Sequence, residues 1–113
     1  MTTIWHNPRC SKSRQTLALL EDNGHSPTVR LYLKDAPTRA EIEAILIKLG
    51  MSASQLLRKG EKAVKDLQLA AASDDQILDA MVENPVLIER PIVLHDGRAA
   101  IGRPPESVLA LFN

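Results

Sequence analysis

The first thirty-odd residues change hydrophobic period twice, and this constrains the fold more than any other feature of the chain. Thr2 to Trp5 reads as a short strand. Ser11 or Ser13 can cap a helix that runs to about Asn23 and ends at Gly24, with Thr16, Leu17 and Leu20 along one face. Val29-Arg30-Leu31-Tyr32-Leu33 then alternates with period two, as a strand with one buried face does. Strand, helix, strand at this spacing is a βαβ unit, with parallel strands and a right-handed crossover.

From Thr38 onward the signals are helical. Thr38-Arg39-Ala40-Glu41 is a capping box, followed by Ile42, Ile45, Leu46 and Leu49 at helical spacing before Gly50. Ser52 to Gln55 repeats the box ahead of a shorter helix that ends before Gly60. Glu61 to Leu69 reads as another helical piece, and Ser73 to Gln76 caps a further helix carrying Ile77, Leu78, Met81 and Val82, which Asn84-Pro85 stops. No strand is expected between residues 38 and 84. Period two returns over Ile92–His95 and Arg98–Ile101, with Asp96-Gly97 between them as a hairpin turn. Pro104 and Pro105 suit the first turn of a last helix holding Val108, Leu109 and Leu111. The expected fold class is α/β: a mixed sheet in the order β-α-β, helical insertion, β-hairpin, α. At 113 residues the chain is one domain, with the insertion at about 38–90 packed as part of it.

Charge excludes some partners. Fourteen basic and fourteen acidic side chains cancel, so no global field favours nucleic acid or a membrane surface. The longest apolar runs are only a few residues, too short to cross a bilayer, and the N-terminus has no signal-peptide pattern. One cysteine permits no internal disulfide, which suits a reducing cytoplasm. Three histidines and one cysteine at these spacings make no metal site.

That cysteine, Cys10, lies in His6-Asn7-Pro8-Arg9-Cys10-Ser11-Lys12-Ser13-Arg14, at the junction of strand and helix. Unpaired backbone N–H groups and the positive end of the helix dipole favour a thiolate there. Arg9, Lys12 and Arg14 add positive charge, and no acid precedes Glu21. The thiol pKa is expected to fall from about 8.5 toward or below neutrality. A lone cysteine is more often a small buried hydrophobe, but these flanks are poor company for a core thiol. Ser13 occupies the second position of a Cys-x-x-Cys motif, leaving a one-thiol version of it. His6 reads either as a hydrogen-bonded loop residue or as an imidazolium that stabilises the thiolate; His25 and His95 read as surface or packing residues. Arg90 and Arg103 flank the hairpin, where a planar charged fork could hold a tetrahedral oxyanion; Arg58 is a weaker candidate of the same kind. Pro91 follows Arg90, and the ordinary reading of its peptide bond is trans.

The element order resembles a thioredoxin-like (glutaredoxin-like) fold. The segments His6–Arg14, Leu57-Arg58-Lys59, Glu89-Arg90-Pro91-Ile92-Val93 and Ile101-Gly102-Arg103-Pro104 resemble, in order, the motifs of the glutaredoxin-dependent arsenate reductase family. The chain ends soon after the last of them and is most similar to the short chromosomal branch. The resemblance implies that Cys10 is the nucleophile, His6 a helper of its thiolate state, and Arg58, Arg90 and Arg103 the oxyanion cradle. It also implies that Pro91 is the cis-proline of thioredoxin-like folds. The implied reaction reduces arsenate to arsenite through a Cys10 adduct, with no bound cofactor, glutathione as co-substrate and glutaredoxin as partner, in the cytoplasm. A glutathione-dependent thiol transferase, an oxyanion or glutathione binder without turnover, and a redox-sensing regulator that binds RNA polymerase stay open as alternatives. Ser13 weighs against the regulator, which typically carries Cys-x-x-Cys.

Overall fold

The computed structural model describes residues 1–112. They form two compact units, one made of residues 1–35 and 90–113, the other of residues 36–89. In the first unit, β1 (Thr2–Trp5), β2 (Thr28–Arg30), β3 (Ile92–His95) and β4 (Arg98–Ile101) form one mixed sheet of order β2-β1-β3-β4. β1 runs parallel to β2 and antiparallel to β3, and β3 pairs with β4 as a hairpin. Asp96 and Gly97 both take positive φ (48° and 80°), the turn that matches strand twist. Ile4 and Val93 are paired across β1 and β3 and share a face with Leu20, Val108 and Leu111, against which Leu17, Ala100 and Phe112 pack. The fold is thioredoxin-like, as the element order implies.

Three details depart from the sequence expectation. β2 stops at Arg30, because Leu31 opens a turn: its carbonyl accepts from the N–H groups of both Lys34 and Asp35. Arg30 lies over the Trp5 ring at 5.2 Å and Tyr32 is buried, so Val29, Leu31 and Leu33 face outward and the alternation is inverted. The helix α1 (Ser11–Asp22) is capped neither by Ser11 nor by Ser13; Cys10 is the N-cap residue. The last helix, Pro105–Phe112, is 3-10 rather than α; its buried residues Pro105, Val108 and Leu111 repeat every three positions, the 3-10 period.

The second unit contains α2 (Arg39–Leu49), α3 (Ala53–Leu56), α4 (Lys62–Asp66) and α5 (Asp74–Glu83). Capping boxes close at Thr38, Ser52 and Ser73, and Gly50 ends α2 in the left-handed conformation at φ 66°. Ile42, Ile45, Leu56, Ile77, Met81 and Leu87 are buried. Arg39 binds both Asp75 and Asp79, joining α2 to α5. One strand-like contact appears that the sequence did not announce, an antiparallel bridge between Leu57 and Ile88.

Candidate active site

Cys10 has the extended backbone of a helix N-cap (φ −94°, ψ 123°), and its carbonyl accepts from Arg14 N–H at 3.0 Å. In a serine or aspartate cap the side-chain oxygen accepts from the N–H two or three residues into the helix. Here a sulfur occupies that position and forms no ordinary cap hydrogen bond. Partial burial pushes the Cys10 thiol pKa up. The Ser13 backbone N–H, the charge of Arg90, the Lys12 backbone N–H and a hydrogen bond from the Arg90 side chain together pull it down further, so the net shift is downward. Arg103 reaches the same sulfur, with Nη2 3.7 Å from Sγ. The thiol remains partly open to solvent. A thiolate flanked by two guanidinium groups at the end of a helix can act as a nucleophile toward a small anion.

The two arginines are held by one piece of backbone geometry. Arg103 Nε donates to the Arg90 carbonyl at 2.8 Å, and Gly102 N–H donates to the Pro91 carbonyl at 3.0 Å. The Arg90–Pro91 peptide bond is cis, and so is Arg103–Pro104, which sequence reading did not single out. Gly102 is buried where no side chain fits: a Cβ there would overlap Thr16 Oγ1 and come within 2.9 Å of Pro91 Cγ. The lack of a side chain lets the end of the hairpin lie against α1, which brings Arg103 to Cys10.

His6 is buried and its Nδ1 is 2.7 Å from Ser13 Oγ. Burial and the nearby charge of Arg14 lower its pKa below the usual 6.5, so the ring is neutral at pH 7. Of the two sequence readings of His6, this geometry favours the hydrogen-bonded loop residue over the imidazolium: two causes disfavour the charged form, and the ring bonds to Ser13. Ser13, read from sequence as the place of a missing second thiol, is fully buried and also accepts from Asn7 N–H at 3.0 Å. Asn7 Oδ1 accepts from Arg9 N–H, Asn7 O from Cys10 N–H, and Pro8 O from Arg14 Nη1. The loop that presents the thiol is thus tied at every residue from His6 to Cys10. A serine in the first turn of α1 gives no sequence signal of such a role; only its Oγ contacts do.

Arg58 belongs to the second unit. Its backbone N–H donates to the Leu87 carbonyl at 2.7 Å and its guanidinium lies 3.5 Å from Glu61. His25 and His95 both face Phe112, at ring separations of 3.7 and 4.4 Å, in keeping with packing roles. Among the described residues no group of acids, histidines and cysteine could hold a metal ion, and no helix is long and apolar enough to cross a membrane.

Comparison with known proteins covers nearly the whole chain. A profile described as "ArsC family" matches residues 5–111. The chain is 51% identical over 111 residues to the Escherichia coli K12 protein named "Uncharacterized protein YfgD", covering 96% of this chain and 93% of that one. It is 44% identical over 112 residues to a Haemophilus influenzae arsenate reductase, covering 96% and 97%. The solved structure of an arsenate reductase from Vibrio cholerae superposes with a TM-score of 0.93 at 46% identity, covering 97% and 96%.

Proposed function

The chain belongs to the ArsC family, and we propose that it is an arsenate reductase whose nucleophile is Cys10. The observation that carries the proposal is the pair of guanidinium groups at one sulfur: Arg103 Nη2 at 3.7 Å from Sγ, and the charge and hydrogen bond of Arg90. A thiolate approaching an arsenate anion meets like-charge repulsion. Two fixed forks offset it and hold the oxygens as charge redistributes in the transition state.

In the proposed reaction the Cys10 thiolate forms a sulfur–arsenic bond and one arsenate oxygen leaves as water, the guanidinium groups stabilising it as it departs. Arsenic is still As(V) in this adduct. Two electrons are then needed, and the chain has one thiol. A glutathione thiolate attacks the Cys10 sulfur, the sulfur–arsenic bond breaks with its electron pair left on arsenic, which departs as arsenite, and a glutaredoxin thiol reduces the resulting Cys10–glutathione disulfide, taking the glutathione into its own mixed disulfide and freeing Cys10. Overall, two thiols are oxidised to a disulfide, arsenate is reduced to arsenite, one water is formed, and Cys10 is regenerated. His6 and Ser13 act as positioning residues that fix the loop carrying the thiol. Dependence on glutathione and glutaredoxin places the reaction in a reducing cytoplasm.

The test is purified protein with arsenate, glutathione, glutaredoxin and a coupled NADPH readout. NADPH consumption that depends on arsenate and vanishes in Cys10→Ser supports the proposal. Turnover confined to a glutathione mixed disulfide, without arsenate dependence, replaces it with a thiol transferase.

A further inference from the structure

We propose that Arg14 is a positioning residue of the reaction above: its side chain holds the peptide that presents Cys10 and does not join the arginines that meet the anion. The proposal rests on the reading of Cys10 as the nucleophile of an arsenate reductase.

Arg14 stands where a helix disfavours it. α1 opens Ser11-Lys12-Ser13-Arg14, with no acid in its first turn, although the positive end of the helix dipole favours acids there and opposes cations. A charge kept against a local preference marks a site where something else is gained. Lowering the thiol pKa is not that gain. The backbone N–H groups of Ser13 and Lys12 and the side chain of Arg90 pull the Cys10 thiol down, and Arg14 is not among these causes.

What Arg14 does is grip the loop ahead of the thiol. Its Nη1 donates to the Pro8 carbonyl at 2.8 Å. The N–H of the same peptide unit, that of Arg9, donates to Asn7 Oδ1 at 3.0 Å. Both polar groups of the Pro8–Arg9 peptide are thus engaged, and its plane cannot turn without breaking one of them. The pyrrolidine ring of Pro8 already fixes φ on one side of that plane. On the other side the Cys10 N–H donates to Asn7 O at 3.0 Å, and the backbone N–H of Arg14 itself donates to the Cys10 carbonyl at 3.0 Å. The bond to Pro8 lies on an exposed surface, but its donor is a guanidinium, which strengthens it.

The same charge acts on His6. After burial it is the second cause that keeps the ring neutral, and the ring bonds Ser13, whose Oγ accepts from Asn7 N–H. One side chain therefore steadies the loop at two points, directly at Pro8 and through His6 and Ser13 at Asn7.

Two variants of the full chain separate positioning from anion binding, and the exposed position of Arg14 lets both fold. Arg14→Met removes the charge and the donors but keeps a flexible stem; Arg14→Lys keeps the charge and one donating group. In Arg14→Met, amide exchange at Arg9 and Cys10 is expected to quicken roughly twofold to tenfold, the worth of one ordinary hydrogen bond. The kcat for arsenate is expected to fall by a similar factor while KM for arsenate stays within about twofold. The His6 titration midpoint, followed by NMR, rises part of the way toward 6.5, because burial remains and Arg9 and Lys34, the cations that line a cleft with His6, are untouched. Arg14→Lys is expected to return the His6 midpoint to its low value and to recover part of kcat. Unchanged exchange at Arg9 and Cys10 in Arg14→Met would overturn the proposal, and so would a rise in KM for arsenate at unchanged kcat, which would make Arg14 an anion ligand. Absence of arsenate turnover in the parent protein would sink the reductase reading alone, since amide exchange and the His6 midpoint still decide whether Arg14 holds the loop.

Discussion

Ser13 Oγ joins two parts of the loop that precede it, lying 2.7 Å from His6 Nδ1 and accepting from Asn7 N–H at 3.0 Å. All three residues are buried. Ser13→Ala leaves a buried N–H and a buried ring nitrogen without their partner, at a cost of about 1–3 kcal/mol. The expected result is a lower melting temperature in calorimetry and slower alkylation of Cys10, because the loop that presents the thiol loosens. A variant as stable as the parent would remove Ser13 from its positioning role.

The neutral state of His6 has its own pH signature. Its folded pKa lies below the unfolded value of 6.5, so below that value the unfolded chain binds more protons than the native one. Stability from this residue is therefore present above pH 6.5 and declines as pH falls from 6.5 toward the folded pKa. Thermal melts between pH 7.5 and 5 are expected to show that decline, with a shallower one in His6→Asn, which keeps a hydrogen-bonding group near Ser13 but does not titrate. Equal slopes for the two proteins would assign the effect elsewhere.

Cys10 shifts in the same direction with the opposite consequence for charge: its pKa is lowered, so the thiolate persists to lower pH than in free cysteine. Iodoacetamide alkylation is expected to have its midpoint below the value of about 8.5 for an unperturbed thiol. Arg90→Gln removes one of the named charges and moves the midpoint up. A midpoint at the free-cysteine value would mean that burial outweighs the helix N–H groups and the arginine.

How much of this was legible in the sequence depends on how local each signal is. The capping boxes at Thr38, Ser52 and Ser73 and the Asp96-Gly97 turn need only their own neighbours, and they appear where the residues place them. The alternation through Leu33 does not give a strand because a local turn at Leu31 and a tertiary contact, Arg30 over Trp5, together override it. In the site, the charge around Cys10 and the arginines beside the hairpin were readable. The neutral His6, the anchoring role of Ser13 and the close approach of Gly102 to Thr16 were not, since each depends on burial created by distant segments.

Replacing Arg90 or Arg103 by lysine keeps the charge and removes the planar fork. In either variant kcat/KM for arsenate is expected to fall about tenfold to a hundredfold, below the roughly hundredfold to thousandfold loss seen when a charge-stabilising donor is removed outright, because lysine keeps the charge. Arg39→Lys is the control, since Arg39 is engaged by Asp75 and Asp79 within the other unit, and its turnover is expected to stay within about twofold. Equal rates for Arg90→Lys and Arg39→Lys would end the cradle assignment.

The contact between Gly102 and Thr16 permits a sharper test, because it can be broken and restored. A Cβ at position 102 would overlap Thr16 Oγ1, 3.1 Å from Thr16 Cγ2 and 2.9 Å from Pro91 Cγ, and Thr16 is fully buried and cannot swing into solvent. Gly102→Ala must therefore push the hairpin end away from α1, at a cost of about 1–3 kcal/mol for overpacking. The displacement carries Arg103 off Cys10, so the alkylation midpoint is expected to rise together with the loss of stability. Thr16→Ala removes both Thr16 atoms from the clash, though it also gives up the hydroxyl bond to the Lys12 carbonyl at 2.8 Å. In the double variant the two costs should not add: residues in direct contact couple by about 0.5–3 kcal/mol, and here the sign is favourable. Partial return of both the melting temperature and the low alkylation midpoint in the double variant is the expected result. Strict additivity in both readouts would mean that Gly102 does not set the approach of Arg103 to the thiol.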